Sequence, residues 1–185
     1  VNNAEVREAV SSAINVKALD LALYGSAAAP ADTLFPKSSP LYNDVQLHKY
    51  NAKLAQSLFN KLAAAGTPVS FTFTVFTGSE NVGEAIQTQL SAYKNVAVKI
   101  AVVDWSQTGR ILGGHDFDMA LEATNFSDPD PAMFNAFYGT APRNGPGIAD
   151  KKLDAALTLG RSSTSVAERV KAYTTVSERI AALYP

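Results

Sequence analysis

Four aspartates lie on either side of a short apolar stretch, and they are the residues with the clearest potential for chemistry. Asp116 and Asp118 come before the stretch, and Asp128 and Asp130 come after it, each directly followed by proline. Paired carboxylates can act as general acid and base, or bind a divalent cation, if the fold brings them together and desolvates one. Aspartate before proline is also common turn chemistry, and this is the interpretation that we favour. A hydrolase or metal-dependent enzyme using these four aspartates is the alternative.

Other catalytic and metal-binding patterns are weak. A protein zinc site needs three or four ligands, whereas the chain has two histidines, His48 and His115, and no cysteine. Gly78 and Gly83 follow a predicted strand but lack the lysine of a phosphate loop, and no Gly-x-Ser-x-Gly elbow marks a nucleophilic serine. We therefore predict no catalytic residue, no metal site, no cofactor and no enzymatic activity.

Charge and composition narrow the class of partner. The 185 residues include 16 Lys and Arg against 17 Asp and Glu, so no basic surface for nucleic acid or an anionic membrane is indicated. A chain of this length can form one domain, or one lobe of a larger protein. No apolar run is long enough to span a membrane, and the first residues lack the pattern of a signal peptide. The absence of cysteine is compatible with export.

The polar segment that follows the apolar stretch is the candidate binding site. Apolar residues alternate over residues 117–123 and predict a strand, which breaks where polar residues and prolines crowd together at 125–131. Open α/β sheets bind ligands in the crevice beyond the carboxyl ends of their strands. The predicted ligand-binding residues at this exit are Ala123, Thr124, Asn125, Phe126 and Ser127. Trp105 ends another strand and is a sixth candidate, although packing is the usual role of such a residue.

The remaining patterns predict an α/β fold. Helical spacing of apolar residues predicts helices over residues 5–23, 51–66, 79–93, 150–160 and 165–183, with short helices over 105–112 and 131–137. The expected caps and ends are Asn51, Ser79, Asp150, a capping box of Ser165 and Glu168, Gly25, Gly66 and Gly160. The last helix should bury Val166, Val170, Tyr173, Ser177 and Ile180. Residues 27–44 form a long irregular segment whose Leu34, Phe35 and Tyr42 should pack against something.

The strands alternate with helices. Residues 69–77 and 96–103 are rich in β-branched and aromatic residues, and the segment between them has helical spacing. A strand, a helix and a strand in this order imply a right-handed crossover and a largely parallel sheet. We therefore expect a mixed, largely parallel sheet flanked by helices.

Several segments also match a known family in the same order. They read VREAVSSAIN at 6–15 followed by KAL at 17–19, YNAKLA at 50–55 leading to Ala65-Gly66, VVDW at 102–105, DFDMAL at 116–121, SDPD at 127–130, and Asp154 with the helical segment 161–183. With these segments the chain resembles the C-terminal lobe of the family 5 extracellular solute-binding proteins, the peptide- and nickel-type receptors of ABC importers. Each motif is unspecific alone, and their collinearity over nearly the whole chain carries the resemblance.

The resemblance implies that residues 1–185 form a single lobe of a two-lobed, class II periplasmic-binding-protein-like fold. The expected partners are a small-molecule or peptide ligand, the N-terminal lobe of the same parent chain and an ABC importer permease, with no nucleic acid. The expected location is periplasmic or extracellular, with a lipid anchor in the part of the parent that precedes residue 1. Oligopeptides or a related small solute would be the cargo.

Two departures from the family pattern bear on the ligand. In peptide-binding members an aspartate a few residues before the Asp-Pro pair holds the α-amino group, and Asn125 stands at that place here. Asparagine offers only a neutral acceptor to an ammonium group. Glu122 stands near the place of the family's usual tryptophan, and the stretch at Asn144, Gly147 and Ile148 resembles an N-x-x-G-Y motif without its tyrosine. The resemblance therefore leaves peptides, blocked peptides, and non-peptide or sugar-like ligands open.

Overall fold

A computed structural model describes residues 3–25 and 30–185. Its helices are α1 (Ala4–Ala13), α2 (Val16–Tyr24), α3 (Ala52–Ala64), α4 (Glu80–Ser91), α5 (Ala132–Phe137), α6 (Lys151–Ser162) and α7 (Val166–Leu183). Its strands are β1 (Val69–Phe76), β2 (Val96–Val103) and β3 (Met119–Ala120). A 3-10 helix (Trp105–Gln107) and a π-helix (Gly109–Gly113) occupy the predicted short helix after β2.

The sheet is parallel, in the order β2-β1-β3. Val69 lies opposite Val96 and Phe76 opposite Val103, so β1 and β2 pair along their whole lengths. The predicted α/β class and parallel pairing are confirmed. Strand β1 is central because its buried Phe71, Phe73 and Val75 pack into the core.

The third strand is much shorter than the predicted span of residues 117–123. Only Met119 and Ala120 pair with β1, and the amide of Leu121 adds one further bond to the Thr74 carbonyl at 3.1 Å. Before the strand, the Asp118 carboxylate, rather than a backbone carbonyl, accepts the amide hydrogen of Thr72 at 2.9 Å. The alternating pattern correctly predicted a strand in this segment. It could not show how few of the residues pair with β1.

Two hydrophobic cores form on different sets of elements. The first joins α1, α3 and α4 to the sheet through Ala9, Val10, Ala13, Ala55, Phe59, Leu62, Val69, Phe71, Phe73, Val75, Ile86 and Leu90. The second joins α5, α6 and α7 to the irregular segment through Phe35, Leu41, Met133, Leu153, Ala156, Leu157, Tyr173, Val176 and Ile180.

The predicted helix over residues 5–23 is wrong in one respect, because it is two helices. Ile14 has an extended backbone, and Asn15 caps α2 by accepting the amide hydrogen of Ala18 at 3.0 Å. The backbone amide of Asn15 donates to Gln89 of α4 at 2.7 Å, which fixes the break against a neighbouring helix. Asparagine favours such cap positions over a helix interior. Gly25 ends α2 with a left-handed φ of 58°, as predicted.

The irregular segment is partly outside the described residues, since 27–29 are not described. From residue 30 onward it contains no helix, and its one pairing is an isolated bridge between Thr33 and Gln46. Phe35 is buried and meets the Tyr173 ring edge-on at a centroid distance of 5.6 Å. The prediction that this segment packs against the rest of the fold is confirmed for Phe35.

Three of the predicted helix caps are confirmed. Asn51, Asp150 and Ser165 accept the third backbone amide of α3, α6 and α7, respectively. Ser79 precedes α4, but its side chain makes no capping bond. The reciprocal half of the capping box is also wrong, because Glu168 accepts from the Ser163 hydroxyl at 2.6 Å instead of from the Ser165 amide.

The C-terminal helices pack closely. Gly160 lies in the last turn of α6, and the helix ends two residues later, at Ser162. Tyr173, Ser177 and Ile180 of α7 are buried as predicted, whereas Val166 is 61% exposed because it lies in the first turn of the helix, beyond the packed region. A Cβ on Gly160 would lie 2.8 Å from Cζ of Tyr173, so glycine here permits the close approach of the two helices.

We expect Gly160→Ala to lower the free energy of unfolding by about 1–2 kcal/mol. The added methyl group would overlap a tyrosine ring that is buried and cannot swing into solvent, and this outweighs the better helix propensity of alanine. Gly113→Ala is the matched control, because no atom lies within 4 Å of its added Cβ. Urea unfolding of both variants checks the prediction, and equal stabilities would contradict it.

Asp150 gives a pH-dependent prediction. Hydrogen bonds from Arg179, opposed by partial desolvation and supported by the Leu153 amide, hold the pKa of Asp150 below its ordinary 3.8. The ionised carboxylate therefore stabilises the fold above that value, and the stabilisation is lost as the pH falls through the lowered pKa. Asp150→Asn keeps a capping acceptor but removes the charge.

We expect this variant to be less stable than the wild type by about 1 kcal/mol near pH 7, with a difference that shrinks below about pH 4. Asp44→Asn, at an exposed loop position, is the control. Urea unfolding over a pH series measures both differences. A difference for Asp150→Asn that is constant down to about pH 2 would show that the charge is not responsible.

Candidate functional site

A groove of about 880 Å³ runs between the two cores. Its lining comes from α1, from residues 34–48, from the segment that carries β3, from α5, from the loop before α6 and from the end of α7. Most of these residues are apolar. The charged or titratable ones are Arg7, His48, Asp118, Glu122 and Tyr184.

The segment that leaves β3 forms part of this groove. After the bond from the Leu121 amide to Thr74, the chain departs from the sheet, and residues 122–125 are exposed. Thr124 and Phe126 line the groove, and Phe126 meets the Phe35 ring edge-on at 6.1 Å. Ala123, Asn125 and Ser127 are exposed on the same short segment without forming the groove wall.

Trp105 lies apart from this groove. Its ring stacks on Phe76 with a centroid distance of 4.4 Å, and its indole nitrogen donates to the Thr77 carbonyl at 3.0 Å. The side chain is nevertheless 58% exposed at the carboxyl end of β2. The structure therefore brings two of the six predicted residues into the groove wall, keeps three beside it, and places Trp105 at another strand exit.

Two arginines hold the proline turn that follows the strand exit. Both oxygens of Asp128 accept from one nitrogen of Arg169, at 2.7 and 2.8 Å, and Asp130 pairs with Arg161 at 3.0 Å. Asp128 also accepts the amide hydrogen of Asp130 at 3.0 Å. Partial desolvation opposes ionisation of Asp128, but the hydrogen bonds and charge of Arg169 more than offset it and lower the pKa of the carboxyl. The carboxylates at this turn are structural acceptors.

The other two aspartates have different partners. Asp116 forms an ion pair with Arg110, and Asp118 accepts from the Thr72 amide. Within residues 3–25 and 30–185, no group of three or more His, Asp or Glu side chains is arranged to hold a metal ion. The turn interpretation thus explains Asp128 and Asp130, and the hydrolase or metal-site alternative has no support in this geometry.

Glu122 is the groove residue whose environment sequence reasoning did not foresee. Its carboxylate lies against the backbone of Gly145, so that a Cβ at that glycine would be 2.7 Å from Oε2. It has no hydrogen bond or ion pair with the described part of the chain. Desolvation by the groove wall raises the pKa of the Glu122 carboxyl, although the side chain remains accessible. The signals in the sequence were a charged residue directly after an apolar strand and its place near the usual tryptophan of the family pattern.

The loop opposite Glu122 is held by buried hydrogen bonds. Asn144 is 4% exposed, and its amide donates to the carbonyl of Ile148 at 3.0 Å. The ring of His115 donates from Nε2 to the Asn144 carbonyl at 2.7 Å. These bonds position Gly145, Pro146, Gly147 and Ile148 in the groove wall. Residues 115 and 144 are 29 positions apart in the chain, and no sequence pattern predicts their contact.

The other histidine, His48, also has a structural role in the wall. Its Nε2 donates to the Ile14 carbonyl at 2.7 Å, and its Nδ1 accepts from the Ser11 hydroxyl at 3.2 Å. Both ring nitrogens are therefore engaged in joining the segment before α3 to α1. This arrangement leaves neither nitrogen available to a metal ion.

With this fold and groove, the chain belongs to the bacterial extracellular solute-binding proteins, family 5. The profile of the family's middle region matches residues 1–145. The parallel sheet flanked by helices is the fold expected for such a protein.

Individual relatives agree with this membership. The chain is 26% identical over 186 residues to the probable ABC transporter periplasmic-binding protein SapA of Escherichia coli K12, covering 94% of this chain and 34% of that protein. HbpA2 from Haemophilus parasuis superposes with a TM-score of 0.83 at 24% identity, over 100% of this chain and 38% of that one. A dipeptide-binding protein from Pseudoalteromonas sp. SM9913, in complex with Met-Leu, gives a TM-score of 0.80 at 21% identity, over 98% and 38%.

The chain spans about a third of the length of the curated relative that it matches. The structural likenesses concern the fold, since both identities are below 25%. None of the helices in the described residues is both long enough and apolar enough to cross a membrane.

We expect Arg169→Gln to loosen the proline turn without affecting the sheet. Loss of the guanidinium removes the two charge-assisted hydrogen bonds that Arg169 donates to Asp128. It also removes the bond that Arg169 donates to the Gly160 carbonyl. Amide hydrogen exchange should become faster, by about tenfold, in residues 126–132 and remain unchanged in β1. Arg110→Gln is the control, because its partner Asp116 lies outside the turn. Unchanged exchange in residues 126–132 would show that Arg169 does not hold the turn.

Proposed function

We propose that this chain is the ligand-binding lobe of an ABC importer substrate-binding protein that captures oligopeptides or a related small solute. The observation that carries the proposal is the polar segment 122–127, which leaves the central sheet at Leu121 and runs beside an apolar groove. Such an exit presents backbone groups and polar side chains at the crevice where α/β folds bind ligands. Membership of family 5 supports the same function for the parent protein.

The proposal assigns recognition to residues 123–127. Asn125 and the backbone of the exposed segment would hydrogen-bond the ligand, and Phe126 would contribute apolar contact from the groove wall. Trp105, exposed at the carboxyl end of β2 on the other side of β1, would meet ligands that extend across the sheet edge. Asn125 offers no negative charge, so a free α-amino group would not be held by that side chain.

The remaining partners follow from the same proposal. An N-terminal lobe of the parent would cover the other side of the ligand, and closure would be driven by contacts that the ligand makes with both lobes. A permease of the ABC type would receive the solute, and the parent would be periplasmic or extracellular with a lipid anchor near its amino terminus. No chemical step is assigned, since the four aspartates are engaged as turn acceptors, in an ion pair and with a strand amide.

The test uses the complete protein that contains this chain and, beside it, the chain of 185 residues alone. Native mass spectrometry of the complete protein, before and after denaturation, should reveal a bound small molecule and give its class. Isothermal calorimetry with that molecule should then show binding to the complete protein that is at least about a hundredfold tighter than to the chain alone, because only the former supplies both walls.

Three outcomes would contradict the proposal. Equal affinity of the chain alone would show that the second lobe does not share the ligand. Turnover of the released molecule by the complete protein, lost in Asp128→Asn, would favour the enzyme alternative. A complete protein that neither carries nor binds any solute from a panel of peptides, sugars and metal chelates would also reject the receptor function.

A further inference from the structure

We infer that Glu122 recognises a positively charged group, an ammonium or guanidinium, on the ligand that occupies the groove. This inference rests on the proposed function and narrows its ligand class to cationic solutes. The position of the carboxylate, its lack of an internal partner and the groove residues that it faces support this role.

The position of Glu122 is fixed by the sheet and by the opposite loop. Leu121, the preceding residue, makes the last hydrogen bond to β1, so the backbone at Glu122 is anchored on one side. The carboxylate then packs against Gly145, where a side chain on that residue would collide with Oε2. Gly145 itself is buried and follows Asn144, which the fold holds through Ile148 and His115. The carboxylate is therefore presented from two anchored segments.

The lack of an internal partner separates Glu122 from the neighbouring acids. Asp116, Asp128 and Asp130 each pair with an arginine of the chain. Asp118, the other carboxylate of the groove wall, accepts the Thr72 amide hydrogen. In the described residues, Glu122 is the groove carboxylate that makes no hydrogen bond or ion pair.

The surroundings make an incoming cation favourable. A carboxylate next to apolar groove residues loses part of its hydration, and this disfavours its charged form, in agreement with the raised pKa of Glu122. An ammonium or guanidinium group restores the lost interaction through charge-assisted hydrogen bonds. The two basic side chains of the wall do not bond Glu122, since Arg7 donates from Nε to the Leu183 carbonyl and His48 donates to the Ile14 carbonyl.

The first experiment measures ligand preference in the complete protein. The probes are the peptide Ala-Lys-Ala-Ala, its analogue with norleucine in place of lysine, and the N-acetylated forms of both. Calorimetry should show that the wild type binds Ala-Lys-Ala-Ala, which carries the most positive charge, at least about tenfold more tightly than it binds the acetylated norleucine peptide. Glu122→Gln should reduce this preference to less than about twofold, chiefly by weakening the binding of Ala-Lys-Ala-Ala rather than that of the acetylated norleucine peptide, which carries no cationic group. Glu84→Gln, on an exposed position of α4 outside the groove wall, should behave as the wild type.

A second measurement does not depend on peptide binding. In the chain of 185 residues, the side-chain carboxyl of Glu122 is followed by NMR during a titration with n-butylammonium ion, with tert-butanol as the neutral control. The ammonium ion should shift this resonance saturably and lower the pKa of the carboxyl, since a bound cation favours the charged form. Neither effect is expected with tert-butanol or at Glu84.

The two experiments separate the inference from the proposed function. A charge preference that survives in Glu122→Gln, or peptide binding without any charge preference in the wild type, would overturn the inference and leave the receptor function intact. Saturable binding of n-butylammonium at Glu122 together with no binding of any peptide would support the cation site and count against peptides as the cargo. No response in either experiment would reject the cation site.

Discussion

The hydrogen bonding of the central strand β1 is the interaction on which the rest of the structure depends. Its two neighbours are parallel to it, so both must reach it through crossover connections, and α4 is the connection to β2. Phe71, Phe73 and Val75 anchor this strand in the first core. The pairing on its other side is brief and ends at the bond from Leu121 to Thr74. That end point determines where the chain leaves the sheet and enters the groove wall.

The separation of the two cores explains why a groove exists. Helices α6 and α7 pack tightly on each other, with Gly160 against Tyr173, and bury their apolar residues with α5 and the irregular segment. Helices α1 and α3 pack instead on the sheet. The segment from β3 to α5 passes between these units, and Phe126 contacts the second core through the Phe35 ring. A groove at such a junction can keep its shape because each wall is supported by its own core.

The sequence predicted the elements better than their ends. Alternation over residues 69–77 and β-branched residues over 96–103 identified two strands. Side-chain caps such as Asn51 and Asp150 marked helix starts, because these signals act over a few neighbouring residues. The break at Asn15 and the short third strand depend on Gln89 and Thr72, which are distant in the chain. The same holds for the site. The exit segment was identifiable from its composition, whereas the environment of Glu122 depends on Gly145 and on how Asn144 and His115 hold that loop.

The division of roles among the acidic residues follows from where arginine is available. Arg161 and Arg169 project from α6 and from the start of α7, and they neutralise Asp130 and Asp128 at the turn. A carboxylate already paired in this way would have to give up its partner before binding a cationic ligand, and this exchange gains little. Glu122 has no such exchange to make, because its carboxylate has no hydrogen bond or ion pair within the described residues. By this comparison, the unpaired carboxylate of Glu122 would gain more from a ligand cation than any of the four aspartates, whose partners are already present.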